Sequence, residues 1–326
     1  MINFVVIGTN FITDKLIDAV NKCDGLNLYG VYSRSYEKGL EFGKKYNVTN
    51  IYTDLNILAN DKNVDAVYIA SPNGIHYKQA KIMLSNKKHV LCEKTIVSNS
   101  YELEDIINLA YENNVVLLEA MRSTFDEGFK SIKNNIHKLG KIRGVFFEYC
   151  QYSSRYDKYK NGIIENAFKQ ELSNGALTDI GVYCVHPLVD LFGLPNEISS
   201  VSTKLETGVD GAGVITAKYN DMIAILSYSK ISQGYIPNQI QGENGTMIIS
   251  KIADPDEVII NYRNGEKEVI HKLECNNNMI YEVKEWKRLI EEKEIHHKYI
   301  QNSINALKIM DTVRKQNNIL FPSDSI

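Results

Sequence analysis

The chain has 326 residues, 44% of them apolar, and its 37 lysines and arginines nearly balance its 40 aspartates and glutamates. This length suggests two domains or one large domain, and a chain of this size buries enough surface to fold without a disulfide scaffold. The formal net charge of −3, with basic residues spread along the chain, provides no stripe for a polyanion, so we expect no nucleic acid partner.

Cysteine spacing and hydropathy favour a cytoplasmic protein. No two cysteines form a C-x-x-C pair, and their odd number is typical of reduced thiols: Cys23, Cys92, Cys150, Cys184 and Cys275. The apolar start at residues 4–7 is too short for a signal peptide, and no apolar run approaches the roughly 18 residues of a membrane span. We therefore expect no membrane partner. No cluster of His, Cys and carboxylates has metal-ligand spacing, so we also expect no metal.

The first third of the chain alternates short apolar runs with amphipathic segments, which is typical of β-α-β units around a parallel sheet. The predicted strands are residues 4–7, 26–32, 66–70, 89–92 and 115–119, and the predicted helices are 13–21, 36–46, 76–85 and 101–112. These five strands predict an open, doubly wound parallel sheet.

After Arg122 the pattern changes. A predicted helix at 126–138 and a strand at 144–149 precede five extended segments, at 200–205, 214–219, 222–229, 246–250 and 258–262. Their hairpin-length connections favour a large, open, mainly antiparallel sheet. The fold class is therefore α/β, with a doubly wound domain at 1–121 and an α+β domain at 122–326, whose closing helices at 281–291 and 303–316 are free to pack back on the first domain.

The segment at residues 4–13 has the strand, turn and helix start of a dinucleotide-binding Rossmann domain. Only Gly8 of the three usual glycines is present. Asn10 takes the second place, where its side chain tolerates a left-handed backbone and its amide can donate to a phosphate oxygen, and Thr13 takes the third. The other predicted contacts in this turn are Thr9, Phe11 and Ile12. Alone, the segment fits an ordinary β-α turn equally well.

The end of the second predicted strand favours NADP over NAD as the cofactor. An NAD site usually places an acidic residue there, whereas Ser33, Arg34 and Lys38 suit a 2′-phosphate. A solvated loop with a helix-capping serine is the alternative interpretation.

Six further segments resemble motifs of the Gfo/Idh/MocA oxidoreductases, the family of glucose-fructose oxidoreductase and inositol dehydrogenase. They are residues 70–76, 90–95, 119–121, 175–183, 241–246 and 318–322. Together with the turn at 4–13 they extend the resemblance over essentially the whole chain. Some members have His at the place of Tyr183. With Tyr there, the motif is more similar to that of the glucose-fructose oxidoreductase and dimeric dihydrodiol dehydrogenase branch. Thr95 replaces the family's usual proline, and Asn10 its second glycine.

The resemblance implies further cofactor contacts and an assembly. The implied contacts are Ser71, Pro72, Asn73, His76, Glu93 and Lys94. By the same resemblance we expect a homodimer or homotetramer that associates through the exposed face of the C-terminal sheet.

Three residues are candidates for the chemistry of hydride transfer, which needs a group that exchanges the proton of the substrate oxygen. Lys94 follows the fourth strand, at the sheet edge where such folds bind ligands. Asp179 and Tyr183 are four apart on a predicted helix and are expected to face the same side. We expect Tyr183 to carry the proton, Lys94 to polarise the substrate oxygen and Asp179 to orient the pair or bind a hydroxyl. Lys94 as proton carrier competes with this assignment, and a solvated lysine beside a packed tyrosine is the structural alternative.

Polar side chains in two places suggest a polyhydroxylated small-molecule substrate. Tyr152 and Arg155 lie in a polar loop, and His186 lies three residues after Tyr183. A surface loop and a buried core histidine explain the same residues. The sequence does not name the substrate.

The leading hypothesis is an NADP-dependent dehydrogenase or reductase acting on a sugar, polyol or related diol. Two alternatives stay open: a non-catalytic nucleotide-binding regulator of the same fold, and a hydrolase-like member that recycles its bound cofactor within each turnover.

Overall fold

The computed structural model describes residues 1–273 and 277–325. These residues form two compact units. The first contains residues 1–121 and 277–301, and the second contains the described residues of 122–276 and 302–326. Residues 277–301, which include the first closing helix, thus group with the N-terminal part of the chain.

The strands and α-helices follow one another in a regular order. The strands are β1 Ile2–Ile7, β2 Leu26–Tyr32, β3 Asn50–Tyr52, β4 Ala66–Ile69, β5 His89–Glu93, β6 Leu117–Ala120, β7 Ile142–Cys150, β8 Glu197–Lys204, β9 Asp210–Lys218, β10 Ile223–Ser229, β11 Asn238–Gly242, β12 Gly245–Ile249, β13 Glu257–Tyr262 and β14 Lys267–Lys272. The helices are α1 Phe11–Val20, α2 Tyr36–Lys44, α3 Leu55–Asn60, α4 His76–Ser85, α5 Ser100–Asn113, α6 Arg122–Phe125, α7 Glu127–Asn135, α8 Tyr156–Lys160, α9 Val182–Phe192, α10 Met279–Glu292 and α11 Tyr299–Gln316.

The first unit is built on a parallel sheet in the order β3-β2-β1-β4-β5-β6, which confirms the predicted doubly wound fold. The predicted count of five strands is wrong, because β3 is a sixth strand of only three residues without an apolar run. Helices cover the central strands, and all four residues of β4 are buried. On one face Trp286 of α10 packs edge-on against Phe4 of β1, with ring centroids 6.1 Å apart. The strand order reverses between β1 and β4, which places a ligand crevice at their carboxyl ends.

The second unit is built on an eight-stranded sheet in the order β14-β13-β12-β11-β7-β10-β9-β8. Its pairs are antiparallel except for β7 with β10, which confirms the predicted, mainly antiparallel sheet. Two of its strands, β11 and β14, were not predicted. The β11 sequence NQIQG has a single large apolar residue, so its strand structure depends on its neighbours β7 and β12.

Three further predictions concern membrane spans, metal ligands and cysteines. Within the described ranges, no helix is long and apolar enough to cross a membrane. No group of three or more His, Cys, Asp or Glu side chains among the described residues is arranged to hold a metal ion. Cys23, Cys92, Cys150 and Cys184 are free thiols, and Cys275 lies outside the described residues.

Candidate active site

The turn after β1 requires glycine at position 8. Gly8 has φ +118°, and a Cβ atom there would lie 2.7 Å from the carbonyl oxygen of Ala70. Any side chain would therefore collide with the end of β4. The close approach of these two backbones forms the floor of the crevice at the carboxyl edge of the sheet.

Asn10 is the N-cap of α1. Its Oδ1 accepts hydrogen bonds from the amides of Ile12 at 3.0 Å and Thr13 at 3.4 Å, and its Nδ2 donates to Ala70 at 2.7 Å. Its backbone is extended, with φ −100°, so the position does not use the left-handed conformation that Asn tolerates. The side chain joins the glycine turn to the end of β4, and its contact with a phosphate stays a prediction.

The other predicted cofactor residues of this edge differ in burial, and their contacts with a cofactor stay predictions. Thr13 is fully buried, and its Oγ1 donates to the Gly8 carbonyl at 3.0 Å, which lets the helix approach the strand. The remaining residues are exposed or half-buried at the carboxyl ends of β1 and β4: Thr9, Phe11, Ile12, Ser71, Pro72 and Asn73.

Two unpaired positive charges lie beyond the end of β2. Arg34 and Lys38 are exposed, and neither forms an ion pair with another described residue. The acidic residue nearby, Glu37, accepts a hydrogen bond from Ser35 at 2.7 Å, and Ser35 also caps α2. Ser33 accepts from the Ser35 amide at 3.3 Å. A cluster of two free cations and hydroxyls fits the dianionic 2′-phosphate of NADP better than the ribose diol of NAD.

His76 ties two turns of the site together. It is fully buried at the start of α4, with Nε2 2.7 Å from the carbonyl oxygen of Ser71 and Nδ1 3.0 Å from that of Thr95. Burial lowers the pKa of His76, because the interior disfavours the charged imidazolium. The ring thus joins the turn after β4 to the turn after β5 and has no exposed edge for a ligand.

Lys94 lies in the turn after β5, which neighbouring strands hold in place. The peptide bond that follows Lys94 is cis. Glu93 accepts a hydrogen bond from the Tyr68 hydroxyl at 2.5 Å, and the buried Glu119 of β6 accepts one from the Ile96 amide at 3.0 Å. Lys94 itself is half-buried at the carboxyl edge of the sheet, and its contact with a substrate stays a prediction.

Asp179 lies in a π-helical turn, Leu177–Gly181, that leads directly into α9. The buried Asp210 accepts a hydrogen bond from the Leu177 amide at 2.8 Å and so caps this turn. Asp179 forms an ion pair with Lys230, whose side chain is 4% exposed, against 35% for Asp179. Lys230 was not found from the sequence, where it is one of many lysines and stands directly after the apolar strand β10.

Tyr183, in the first turn of α9, is surrounded by a different set of residues. Its ring centroid lies 5.6 Å from that of Tyr149 and 5.6 Å from Cζ of Arg122. Nη2 of Arg122 is 3.5 Å from Oδ2 of Asp254. Burial opposes the charge of Arg122, yet charge interactions with Tyr183 and Asp254 raise the pKa of Arg122 above its usual value. Asp179 and Tyr183 therefore have separate cationic partners, and neither partner was predicted.

A cavity of about 600 Å³ in the second unit shares two residues with this cluster. Tyr149 and Asp254 line it, along with Glu148, Gln151, Gln233 and Tyr235. Lys251 also contributes to the wall, and its ammonium is 2.6 Å from Asp256. Hydroxyl, amide and carboxylate groups of this kind bind a polyhydroxylated ligand through hydrogen bonds.

The three predicted substrate residues make contacts of their own. The Tyr152 hydroxyl donates to Asp157 at 2.7 Å, and Nε of Arg155 is 3.5 Å from Glu165, so both side chains have partners in their own loop region. His186 is 3% exposed on α9, as the core-histidine interpretation predicts. Their role as substrate contacts stays a prediction.

Comparison with known proteins identifies the family. The model of the oxidoreductase family with an NAD-binding Rossmann fold, GFO/IDH/MocA, matches residues 2–121, and the model of the GFO/IDH/MocA C-terminal domain matches residues 135–248. The chain belongs to the GFO/IDH/MocA oxidoreductase family. The resemblance seen in the sequence motifs is thus confirmed, and the protein is a dehydrogenase of the class that acts on CH–OH groups.

Several GFO/IDH/MocA relatives match along the whole chain. It is 44% identical over 326 residues to the scyllo-inositol 2-dehydrogenase (NADP(+)) IolU of Bacillus subtilis, a match that covers 99% of each chain. It is 37% identical to the uncharacterized oxidoreductase YgjR of Escherichia coli, covering 100% of this chain and 99% of YgjR. The trans-1,2-dihydrobenzene-1,2-diol dehydrogenase of Xenopus tropicalis is 26% identical over 306 residues, 90% of each chain.

A solved structure has the same fold. The 3-ketoreductase KijD10 of Actinomadura kijaniata, in complex with NADP and TDP-benzene, superposes with a TM-score of 0.87 at 18% identity and covers 97% of this chain and 98% of its own. At that identity the likeness shows the fold alone.

Proposed function

We propose that the protein is an NADP-dependent dehydrogenase that interconverts a secondary alcohol of a neutral cyclic polyol and the corresponding ketone. The observation that carries this proposal is the 44% identity, over 99% of both chains, to a scyllo-inositol 2-dehydrogenase (NADP(+)). The free charges of Arg34 and Lys38 support the choice of NADP. In this proposal residues 1–121 bind the nucleotide and residues 122–326 bind the substrate.

The nucleotide would be held at the carboxyl edge of the first sheet. Gly8 and the start of α1 would accommodate its pyrophosphate, Arg34 and Lys38 its 2′-phosphate, and Ser71 and Asn73 the part nearer the nicotinamide. Bound NADP supplies the chemistry of hydride transfer at its nicotinamide ring.

The chain's own residues handle the proton and the substrate oxygen. Tyr183 takes the proton of the reacting hydroxyl when the alcohol is oxidised and returns it when the ketone is reduced. Lys94 donates a hydrogen bond to the same oxygen and so stabilises the negative charge that develops on it. Asp179, with its charge balanced by Lys230, accepts a hydrogen bond from a neighbouring substrate hydroxyl. Lys94 as the direct proton carrier is the competing assignment.

The charges around the cavity favour an uncharged substrate. Arg122 is paired with Asp254, and Lys251 with Asp256. Glu148 adds a negative charge to the wall. A sugar phosphate or a nucleotide sugar would meet no excess of positive charge there, whereas a neutral polyol needs none.

We extend the proposal to assembly and location. The eight-stranded sheet has one face with exposed apolar side chains, among them Val201, Ile223 and Ile225. Strand pairing places Ile225 beside Phe146 on that face. This supports a homodimer or homotetramer formed through the sheet, and the free thiols support a cytoplasmic location.

The test is an assay of the purified protein with NADP and a panel of cyclitols, and with NADPH and the corresponding keto-inositols. We expect reduction of NADP by an inositol and oxidation of NADPH by its ketone. Binding of the nucleotide without turnover would instead indicate a regulator, and turnover without a net change in NADPH absorbance would indicate a hydrolase-like member.

A further inference from the structure

We propose that Arg122, held by Asp254, is a positioning residue that fixes the Tyr183 hydroxyl and stabilises the negative charge which its oxygen carries after proton transfer. The inference rests on the proposed function, in which Tyr183 carries the proton.

The first support is the geometry around the phenol ring. Tyr183 is 8% exposed, and it packs against the Tyr149 ring and the Arg122 guanidinium, each about 5.6 Å from its centroid. Two planar groups against one ring restrict its rotation, so its hydroxyl has a fixed direction. Arg122 is itself anchored by its place at the start of α6, directly after β6. The phenol is thus oriented before any substrate binds, which reduces the cost of reaching the reactive geometry.

The second support is the charge that Arg122 retains towards Tyr183. The Arg122 side chain is 21% exposed and lies 3.5 Å from a single Asp254 oxygen, which is longer than a close ion pair. Asp254 also interacts electrostatically with Lys251, so its negative charge is shared between two cations. A guanidinium that is only partly neutralised and partly shielded from water interacts strongly with a nearby negative charge.

The third support is the role of the neighbouring cation. Lys230 is buried against Asp179, and its ammonium lies 5.1 Å from the centre of the Phe168 ring. It is therefore committed to Asp179. Arg122 is a cation that contacts Tyr183, so the two pairs provide separate charges for two separate tasks.

A kinetic double-mutant cycle tests this inference. Arg122→Met, Tyr183→Phe and the double variant are assayed for reduction of a keto-inositol by NADPH. We expect Arg122→Met to lower kcat by roughly 10- to 100-fold, with KM for NADPH changed less than about threefold, because a lost transition-state interaction lowers kcat. We expect it to cause no further loss in the Tyr183→Phe background, because Arg122 acts through the hydroxyl that Phe lacks.

Two further variants make the outcome specific. Arg122→Lys keeps the charge and is expected to recover part of kcat, since lysine lacks the planar fork of arginine. Arg143→Met removes an exposed arginine that pairs with Glu243, and we expect wild-type kinetics from it. Melting temperatures and NADPH binding show that each variant is folded.

The inference is overturned if kcat of Arg122→Met stays within twofold of wild type. It is equally overturned if the losses of the two single variants multiply in the double variant. Should Arg122→Met fail to fold, Asp254→Asn takes its place in the cycle, with a smaller loss of kcat that must also vanish in the Tyr183→Phe background. A wild-type protein without turnover would refute the proposed function itself, which separates the two failures.

Discussion

Side chains from other elements hold the backbone of the turn that contains Lys94. The Thr95 carbonyl meets His76, and the Ile96 amide meets Glu119. Lys94→Ala should therefore leave the turn and the nucleotide site intact while it removes the ammonium from the substrate oxygen.

We expect Lys94→Ala to lower kcat by about 10²- to 10⁴-fold and to leave the Kd for NADPH within a few-fold of wild type. Steady-state kinetics and a fluorescence titration with NADPH measure the two quantities. Lys62→Ala, an exposed lysine outside the site, is the matched control. Unchanged turnover in Lys94→Ala would remove Lys94 from the mechanism.

We expect Arg34 to determine the preference for NADP over NAD. Because a charge-assisted hydrogen bond contributes about 1.5–3 kcal/mol, Arg34→Ala should raise KM for NADP by roughly 10- to 100-fold. KM for NAD, which has no 2′-phosphate, should change little and provides the internal control. Equal losses with both nucleotides would show that Arg34 contacts a part that they share, or supports the fold.

The π-helical turn before α9 is capped by a buried carboxyl, that of Asp210 in β9. Burial raises the pKa of Asp210 to about 6, because the interior disfavours its charged form. The folded protein thus holds this proton more tightly than the unfolded chain, in which an aspartate has an ordinary pKa of about 3.9. The stability that this group contributes is complete below about pH 4 and is lost as the pH rises through about 6.

In Asp210→Asn this contribution to the free energy of unfolding should not decline as the pH rises. In the wild-type protein the decline amounts to at most about 3 kcal/mol, for a shift of about two pKa units. Urea unfolding between pH 4 and pH 7 measures it in both proteins. Parallel stability profiles for the two proteins would show that Asp210 is not the group responsible.

The sequence predicted the elements with strong periodic patterns and missed those that depend on neighbours. The buried strands β1 and β4 were found because their apolar runs are self-evident, whereas β3 and β11 are short or polar and exist through pairing. A helix was predicted through Asp179, but the π-helical turn depends on the distant Asp210.

The candidate site shows the same division. Tyr183, Lys94 and Asp179 were recognised because each lies in a motif of neighbouring residues. Arg122 and Lys230 were not predicted as site residues, because their partners lie far away in the chain. Lys230, for example, pairs with Asp179, which is 51 residues away. Such contacts leave no local pattern.

For the whole molecule, the open sheet face predicts an assembly that a single charge should weaken. Ile225 is 38% exposed in the middle of that face. We expect wild type to be a dimer or tetramer in light scattering coupled to size-exclusion chromatography, and Ile225→Glu to shift the population towards monomer, since a buried unpaired carboxylate is costly. Lys62→Glu, an exposed change in the first unit and away from this sheet, is the control. A monomeric wild-type protein would contradict the proposed assembly.

We propose that this chain oxidises a neutral cyclic polyol with NADP and reduces the corresponding ketone with NADPH. The test is the NADPH absorbance of the wild-type protein with 2-keto-inositol, compared with its phosphorylated form and with NADH in place of NADPH. We expect rapid loss of absorbance with NADPH and the neutral ketone, and much slower loss with the phosphorylated ketone or with NADH. Tight NADPH binding with no absorbance change for any neutral ketone or polyol would contradict it.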